Sequence, residues 1–497
     1  MSKKTKVLSA EDKQFRRNKW CYSIPGTGRD LAYNLYNSFL LTYIMFTRQL
    51  TGQQFSAISV IMIVCCIWDG INDPIMGGII ENTRTKFGKF KPWIFVGAIS
   101  NAVILALIFS NRTQGWTFVA LFAVFYLLWD LTFTMNDISY WSMLSSLTSK
   151  AQQRDSITSM ANLFAGLGTV ISFALVPILT AGDKAIGGSS VTAYAVIAIT
   201  FAVLFAAGQV TVCATVKEPY VANVPLEDRI GIKKLVKVIF SNDQLLWVAV
   251  IMFLVNVGGA IVGAFGTNYF YLEFGYDGSK VTMFTAFYAG ASGIVYLVYP
   301  KLSKIIGRYK MAFISLVMTV GGYIALFITG FVLKGQTKLW FYCAEGMIVG
   351  FAFSLFYMVI TICLMNTIEY NEYKTGNRNE GIIFAVRPFM AKMSSAFQKL
   401  LTMIVYLAIG MLNITNGISD LEQRANAKEI TEQAKLDGIS DILSNASPYM
   451  AIALRCVIVV LPITLIAVGY IVMKKKMKID EAEYERMMKE IEARKVK

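Results

Sequence analysis

Asp69 and Asp73 stand one helical turn apart inside the apolar run WDGINDPIMGG, which starts at Trp68. A carboxylate at the centre of a bilayer costs roughly 2.5–3.5 kcal/mol on insertion-derived scales, so a pair there demands a cation, a proton or a buried cavity. One turn of helix puts both on one face, and Asn72 and Thr134 offer neutral oxygens to the same place. Hard cations want several oxygen ligands, which makes a sodium site one reading. A shared proton is the other, because two close carboxylates do not both ionise freely. Histidine is absent from the 497 residues. That excludes imidazole relays and His metal ligands and leaves carboxylates and lysines to carry any proton.

Such a pair needs apolar helices around it, and composition supplies them. The chain is 55% hydrophobic and 16% charged, where soluble domains carry about 25% charged residues. Its net charge of +15 comes from short basic clusters between apolar runs, the pattern of cytoplasmic loops, so nucleic acid is not expected as a partner. The seven cysteines lie mostly in apolar segments without metal-ligand spacing and read as packing residues. Residues 1–21 read as a polar, basic cytoplasmic tail without a cleavable leader. Twelve apolar spans follow, near 22–47, 55–81, 92–110, 116–143, 156–181, 190–215, 243–272, 281–300, 311–333, 339–368, 381–413 and 448–473. With both termini inside, inside segments hold 33 Lys and Arg and outside loops 9, while Arg29, Arg387, Lys392, Lys399 and Arg455 fall within spans. That asymmetry places both termini of a multi-pass cell-membrane protein in the cytoplasm.

Residues 216–242 form the longest inside connection and read as a cytoplasmic linker between bundles at 22–215 and 243–473. The second bundle carries a polar outside insertion at 416–447, expected to be an inert loop, with a short helix covering the outer mouth as the alternative, and 474–497 form a cytoplasmic tail. A weak repeat relates the halves. Asp73-Pro74 closes span two before a basic loop and Tyr299-Pro300 closes span eight before another, and Arg154 is matched by Arg378, with offsets of 226 and 224. Parallel six-helix halves with a midplane site between them are the major facilitator architecture, so the fold class is an all-α membrane protein of twelve transmembrane helices in two bundles.

Three stretches then carry a closer likeness: DGINDPIMGGIIENTRTKFGKFKPW, NDISYWSML followed by the arginine of QQRDSI, and NRNEGIIFAVRPFMAKMSSAF. In order and spacing over nearly the whole chain they resemble the glycoside-pentoside-hexuronide:cation symporters, the melibiose permease family. The resemblance implies that Asp69 and Asp73 form the cation site and that Lys392, about a third of the way into span eleven, is the family's intramembrane lysine. Such a lysine needs a partner at this depth, and a carboxylate of the pair would serve. Asp30 and Asp137 match the family's sugar-binding acids, and Arg29 matches a basic residue beside them. Trp141, one turn after Asp137, sets an indole face next to a carboxylate, which suits a pyranose. Arg29 points about 100 degrees away from Asp30 on a helix, which suits a structural role.

The departures are specific. Cys66 stands where the pattern has an arginine one turn before the pair, Asn162 where it has a sugar-side arginine, and Asp130 where it has glycine. With one lysine facing Asp30, Asp69, Asp73, Asp130 and Asp137, some of these acids must be protonated, cation-bound or paired with Arg387 or Arg29. The basic loops, with Arg84, Lys89, Arg154, Arg308 and Arg378, are expected to gate the inside by pairing with acids at helix ends. The C-terminal tail reads as a surface helix on anionic lipid or a frayed end.

The expected function is secondary active transport: symport of a glycoside or small sugar with Na+ or H+, by a monomer in lipid, with no other cofactor or metal. A uniporter or a carrier of amphiphiles is the alternative within that class, and a non-transporting membrane sensor the alternative outside it. No enzyme is expected, since no nucleophile, metal cluster or soluble catalytic domain is visible.

Overall fold

The computed structural model describes residues 10–148, 150–217, 241–376 and 380–495. Among them the chain is helical throughout, with one isolated bridge between Thr85 and Gly88. The first half comprises α1 (Ala10–Ser23), α2 (Gly26–Thr47), α3 (Gly52–Asn82), α4 (Lys91–Ser110), α5 (Gly115–Leu147), α6 (Ala151–Thr180) and α7 (Ser190–Thr215). The second comprises α8 (Asp243–Phe274), α9 (Gly278–Ile305), α10 (Arg308–Val332), α11 (Gly335–Thr375), α12 (Glu380–Ala408), α13 (Met411–Asn426), α14 (Glu432–Ser444), α15 (Pro448–Lys476) and α16 (Glu481–Lys495). Residues 218–240, the core of the expected linker, lie outside the described residues.

Among the described residues ten helices are long and apolar enough to cross a membrane, and α12 becomes an eleventh when counted with α13. The twelfth expected span, α2, is long enough but less apolar, because Arg29, Asp30, Asn34 and Asn37 occupy it. Arg29 and Asp30 belong to the site, while Asn37 donates back to the Tyr33 carbonyl of its own helix. The outward faces read as lipid-facing, with Val64, Val103, Val170, Val203 and Leu297 all more than half exposed. Trp116, Trp340 and Tyr449, at the starts of α5, α11 and α15, are also exposed. They lie at the end of the bundle opposite the termini, as an aromatic interface belt does.

The two halves meet through α3 against α12 and α6 against α9. These are the second and fifth long helices of each half, paired reciprocally, so the sequence repeat becomes a two-fold interface. Gly278, at the start of α9, lets this contact form: a Cβ there would fall within 2 Å of the Pro177 carbonyl of α6, at 1.7 Å. Opposite the termini the halves are tied further, through Ser190 Oγ and Tyr276 Oη at 2.7 Å and Lys184 Nζ donating to Ser279 Oγ at 3.1 Å.

Several expectations change here. Pro74 does not close its span; α3 runs on to Asn82 with the proline inside, where it leaves the Gly70 carbonyl without its helical donor. Residues 416–447 are not an inert loop. Gly410, at φ 73°, allows α13 to turn 87° from α12. There α13 and α14 dock on the first half: Asn416 exchanges hydrogen bonds of 2.8 Å with the Leu50 backbone in both directions, and Gln49 donates to Asp420 at 2.9 Å. The C-terminal tail is not frayed: it folds as α16, with Met487 and Ile491 buried. Its Glu481 accepts from the Arg308 backbone at 2.7 Å and pairs with the guanidinium at 3.2 Å. The N-terminal segment also folds. Asn18 of α1 and Lys217 bond reciprocally through the Asn18 amide, at 2.8 and 3.1 Å.

Candidate functional site

Three helices build the first cluster. Helix α3 starts from a reciprocal capping box between Thr51 and Gln54, which sets its register before it carries Cys66, Asp69 and Asp73 inward. On α5, Asp130, Thr134, Asp137 and Trp141 recur at steps of four, three and four, so one face carries all of them. From the second half, α12 brings Lys392. Its ammonium lies 2.9 Å from Asp69 Oδ2 and pairs with Asp73 Oδ2 as well. It also donates to the Asp69 backbone carbonyl at 3.3 Å. Thr134 Oγ1 donates to Asp69 Oδ1 at 3.0 Å. The expected acid pair, hydroxyl and lysine therefore converge, with the ammonium between the two carboxylates. Asn72 is buried, but none of the described hydrogen bonds joins it to either carboxylate.

Asp130 sits toward the end opposite the termini, where Tyr36 donates to it at 3.5 Å. It feels the charges of Asp69, Lys399 and Lys392. Lys399, two turns beyond Lys392, donates to Cys66 Sγ at 2.8 Å and Ser395 Oγ at 3.2 Å. So the acids face two lysines rather than one. In the sequence Lys399 shows only as a charge within a span, seven residues after Lys392.

The second cluster adjoins the first along α5, since Asp137 lies three residues, about 4.5 Å of rise, from Thr134. Arg29 is its centre. The guanidinium donates to Asp30 Oδ2 through Nη2 at 2.8 Å and Nε at 3.1 Å, and to Asp137 Oδ1 through Nη1 at 2.9 Å. It lies over the rings of Tyr140 and Trp141, 4.9 and 4.8 Å from their centroids. Close helix approach makes this possible: a Cβ at Gly168 of α6 would come within 2.5 Å of the Thr27 carbonyl. Tyr140 stacks on Tyr22 of α1 at 4.3 Å, and each hydroxyl donates to the other's carbonyl, at 2.6 and 2.7 Å. Helix α1 thus buttresses the site, a role its sequence did not suggest. With one cation against two carboxylates the cluster is acidic, and Asp137 is the more open of the two acids, its side chain 37% exposed against 15% for Asp30.

Other expected residues lie apart. Asn162 is exposed and donates to Thr158 on its own helix. Arg387 donates to Tyr357 at 3.0 Å rather than to an acid of the cluster. Of the expected gate, Lys89 pairs with Glu81, Arg84 donates to the Glu81 and Thr83 carbonyls, Arg154 to the Thr148 carbonyl, and Arg308 pairs with Glu481. Each of these contacts stays within its own half. Arg378 lies outside the described residues.

Known proteins resemble this chain over most of its length. A family model described as MFS/sugar transport protein matches residues 21–481. A lactose permease of Leuconostoc lactis is 26% identical over 421 residues, covering 80% of this chain and 64% of the permease. A raffinose carrier protein of Pediococcus pentosaceus is 26% identical over 436 residues, covering 84% and 64%. The chain therefore spans less than two thirds of the length of these two relatives. An isoprimeverose transporter of Lactiplantibacillus pentosus, 27% identical over 398 residues, is covered to 78% by 77% of this chain. Among solved structures, an inward-facing, occupied bacterial homolog of the human lysosomal transporter Spinster aligns with TM-score 0.60 at 10% identity, over 93% of this chain and 97% of that one. At that identity the likeness concerns the fold alone.

Proposed function

The chain belongs to the family of MFS/sugar transport proteins, and from that premise we propose that it is a secondary transporter carrying a neutral sugar or glycoside together with a monovalent cation. The observation that carries the proposal is Lys392. It comes from one half and binds both acids of the other, beside the cluster of Arg29, Asp30, Asp137 and Trp141. An ion that takes Asp69 and Asp73 must displace this ammonium, so ion binding and the contact between halves draw on the same charges. That is the differential interaction alternating access requires.

The sugar is assigned to Asp30, Asp137 and Trp141. Arg29 is already held by two carboxylates, so the site has no free positive charge for a uronate and suits hydroxyl groups. The coupling ion is sodium, with Thr134 adding a neutral oxygen to the acid pair. The second reading is a proton, favoured by the completeness with which Lys392 already satisfies both acids. The basic asymmetry of the loops assigns the face carrying the termini to the cytoplasm.

The test is accumulation of labelled galactosides, xylosides and glucuronides by proteoliposomes under a sodium or a proton gradient alone. One gradient is expected to drive uptake of a neutral sugar, and Asp73→Asn to abolish that accumulation. Equal accumulation without a gradient in both proteins would sink the coupling.

A further inference from the structure

The rotation of α1 is fixed from its inner side. Asn18 and Tyr22 are buried there, Asn18 bonded to the Lys217 backbone and Tyr22 stacked on Tyr140 with paired hydrogen bonds. On the flank, Lys19 Nζ donates to Ser156 Oγ of α6 at 2.8 Å. At about 100 degrees per residue, Lys13, Arg16, Arg17 and Trp20 then fall on one stripe, on the side opposite Tyr22. All four are exposed, Trp20 at 47%, and Ile24, just after the helix, is 49% exposed. Asp12 lies at the edge of this stripe, which keeps a positive balance. Three cations thus lead into an indole and an alkyl group as the chain runs toward α2. The apolar end continues the lipid-facing surface of α6: the Trp20 and Phe164 rings meet edge to face at 6.3 Å, and the neighbouring Leu163 and Leu167 are 56% and 43% exposed. An indole gains nothing on a face bathed in water. At a membrane interface it sits at headgroup level while the cations before it reach the phosphates.

We propose that the outer stripe of α1, formed by Lys13, Arg16, Arg17 and Trp20, docks the headgroup of an anionic phospholipid. The ammonium and the two guanidiniums meet its phosphate, and Trp20 and Ile24 meet the glycerol and the first methylenes of its acyl chains beside α6. Charge selects an anionic lipid over a zwitterionic one, because the stripe carries several cations and the choline of a zwitterionic headgroup repels them. With the bundle on its inner face and the headgroup on its outer face, α1 is held in place from both sides. This docking goes beyond the transport reading and depends on neither the sugar nor the ion.

The experiment follows amide hydrogen exchange over residues 13–23 of α1, on the purified full chain in nanodiscs of phosphatidylcholine with or without phosphatidylglycerol. Each cation near an anionic surface strengthens binding about fivefold, so phosphatidylglycerol is expected to slow exchange in the wild type about tenfold. Lys13→Gln/Arg16→Gln/Arg17→Gln is expected to exchange at one rate in both lipids, and Lys13→Arg/Arg16→Lys/Arg17→Lys to behave as the wild type. Raised salt is expected to remove the slowing. Inorganic phosphate added to phosphatidylcholine nanodiscs is expected to leave the rate unchanged; slowing by phosphate alone would assign the stripe to a free anion and overturn the lipid. A second measurement needs no loss of the cations. Quenching of Trp20, read as wild type less Trp20→Phe, is expected to be about twofold stronger with brominated phosphatidylglycerol than with brominated phosphatidylcholine. Equal wild-type exchange in the two lipids, slowing that survives in the glutamine variant, or equal quenching by the two brominated lipids overturns the proposal.

Discussion

Lys392 and Arg29 each hold two carboxylates, one across the interface of the halves and one inside a single half. The difference decides what their loss does. Lys392→Ala leaves Asp69 and Asp73 a turn apart with no ammonium between them, and breaking such a pair costs about 3 kcal/mol. The expected outcome is loss of gradient-driven accumulation together with a lower unfolding midpoint, read by uptake and by thermal unfolding in the same preparation. Unchanged coupling in that variant would remove Lys392 from the mechanism. Asp69, Asp73 and Lys392 were legible in the sequence because charge in an apolar run is expensive and must be explained. Lys399 was visible as a charge within a span but not as a partner of Cys66. Its contact depends on how α12 is rotated against α3, and no local pattern records that rotation. Asn72 shows the converse, since a suitable oxygen at a suitable spacing stays off the cluster.

The helices that frame the bundle do more than their composition suggested. Helix α16 carries Met487 and Ile491 at helical spacing, which sequence reads equally well as a lipid-facing stripe; burial against the bundle is a tertiary fact. Glu481 fastens its start. Burial alone would raise the pKa of this carboxyl, but the backbone N–H and guanidinium of Arg308 outweigh it and hold the value below the usual glutamate range. A depressed carboxylate stabilises the docked tail above the ordinary glutamate pKa and loses that contribution as pH falls through the lowered value. Proteolysis of α16 is therefore expected to accelerate below about pH 4, and Glu481→Gln to show the fast rate already at neutral pH. A tail cut equally fast by both proteins across that range would show that Glu481 does not hold it. At the other end, α13 and α14 replace an expected loop because Gly410 permits the turn and the first half offers the Leu50 backbone to Asn416.

In the whole molecule, α3 against α12 and α6 against α9 form a two-fold frame, and contacts opposite the termini seal one side of it. If the halves rock, those contacts must part in every cycle. A disulfide between Leu50→Cys and Asn416→Cys is expected to stop uptake and reduction to restore it, with each single variant, oxidised in the same way, as the control. Uptake that survives the crosslink would mean that this seam stays closed during transport. The sequence alone determined the run of apolar spans and the acid pair within it, and the resemblance to a known family pointed to Lys392 and to the acids near Trp141. Periodicity, hydropathy and the cost of buried charge act along a single helix and can be read there. Only the tertiary structure decided that Arg29 joins both Asp30 and Asp137, that Lys399 meets Cys66, that Asn162 turns back on its own helix, and that the insertion straps the halves together. Each of those facts depends on the depth and rotation of one helix against another, which packing between distant segments sets.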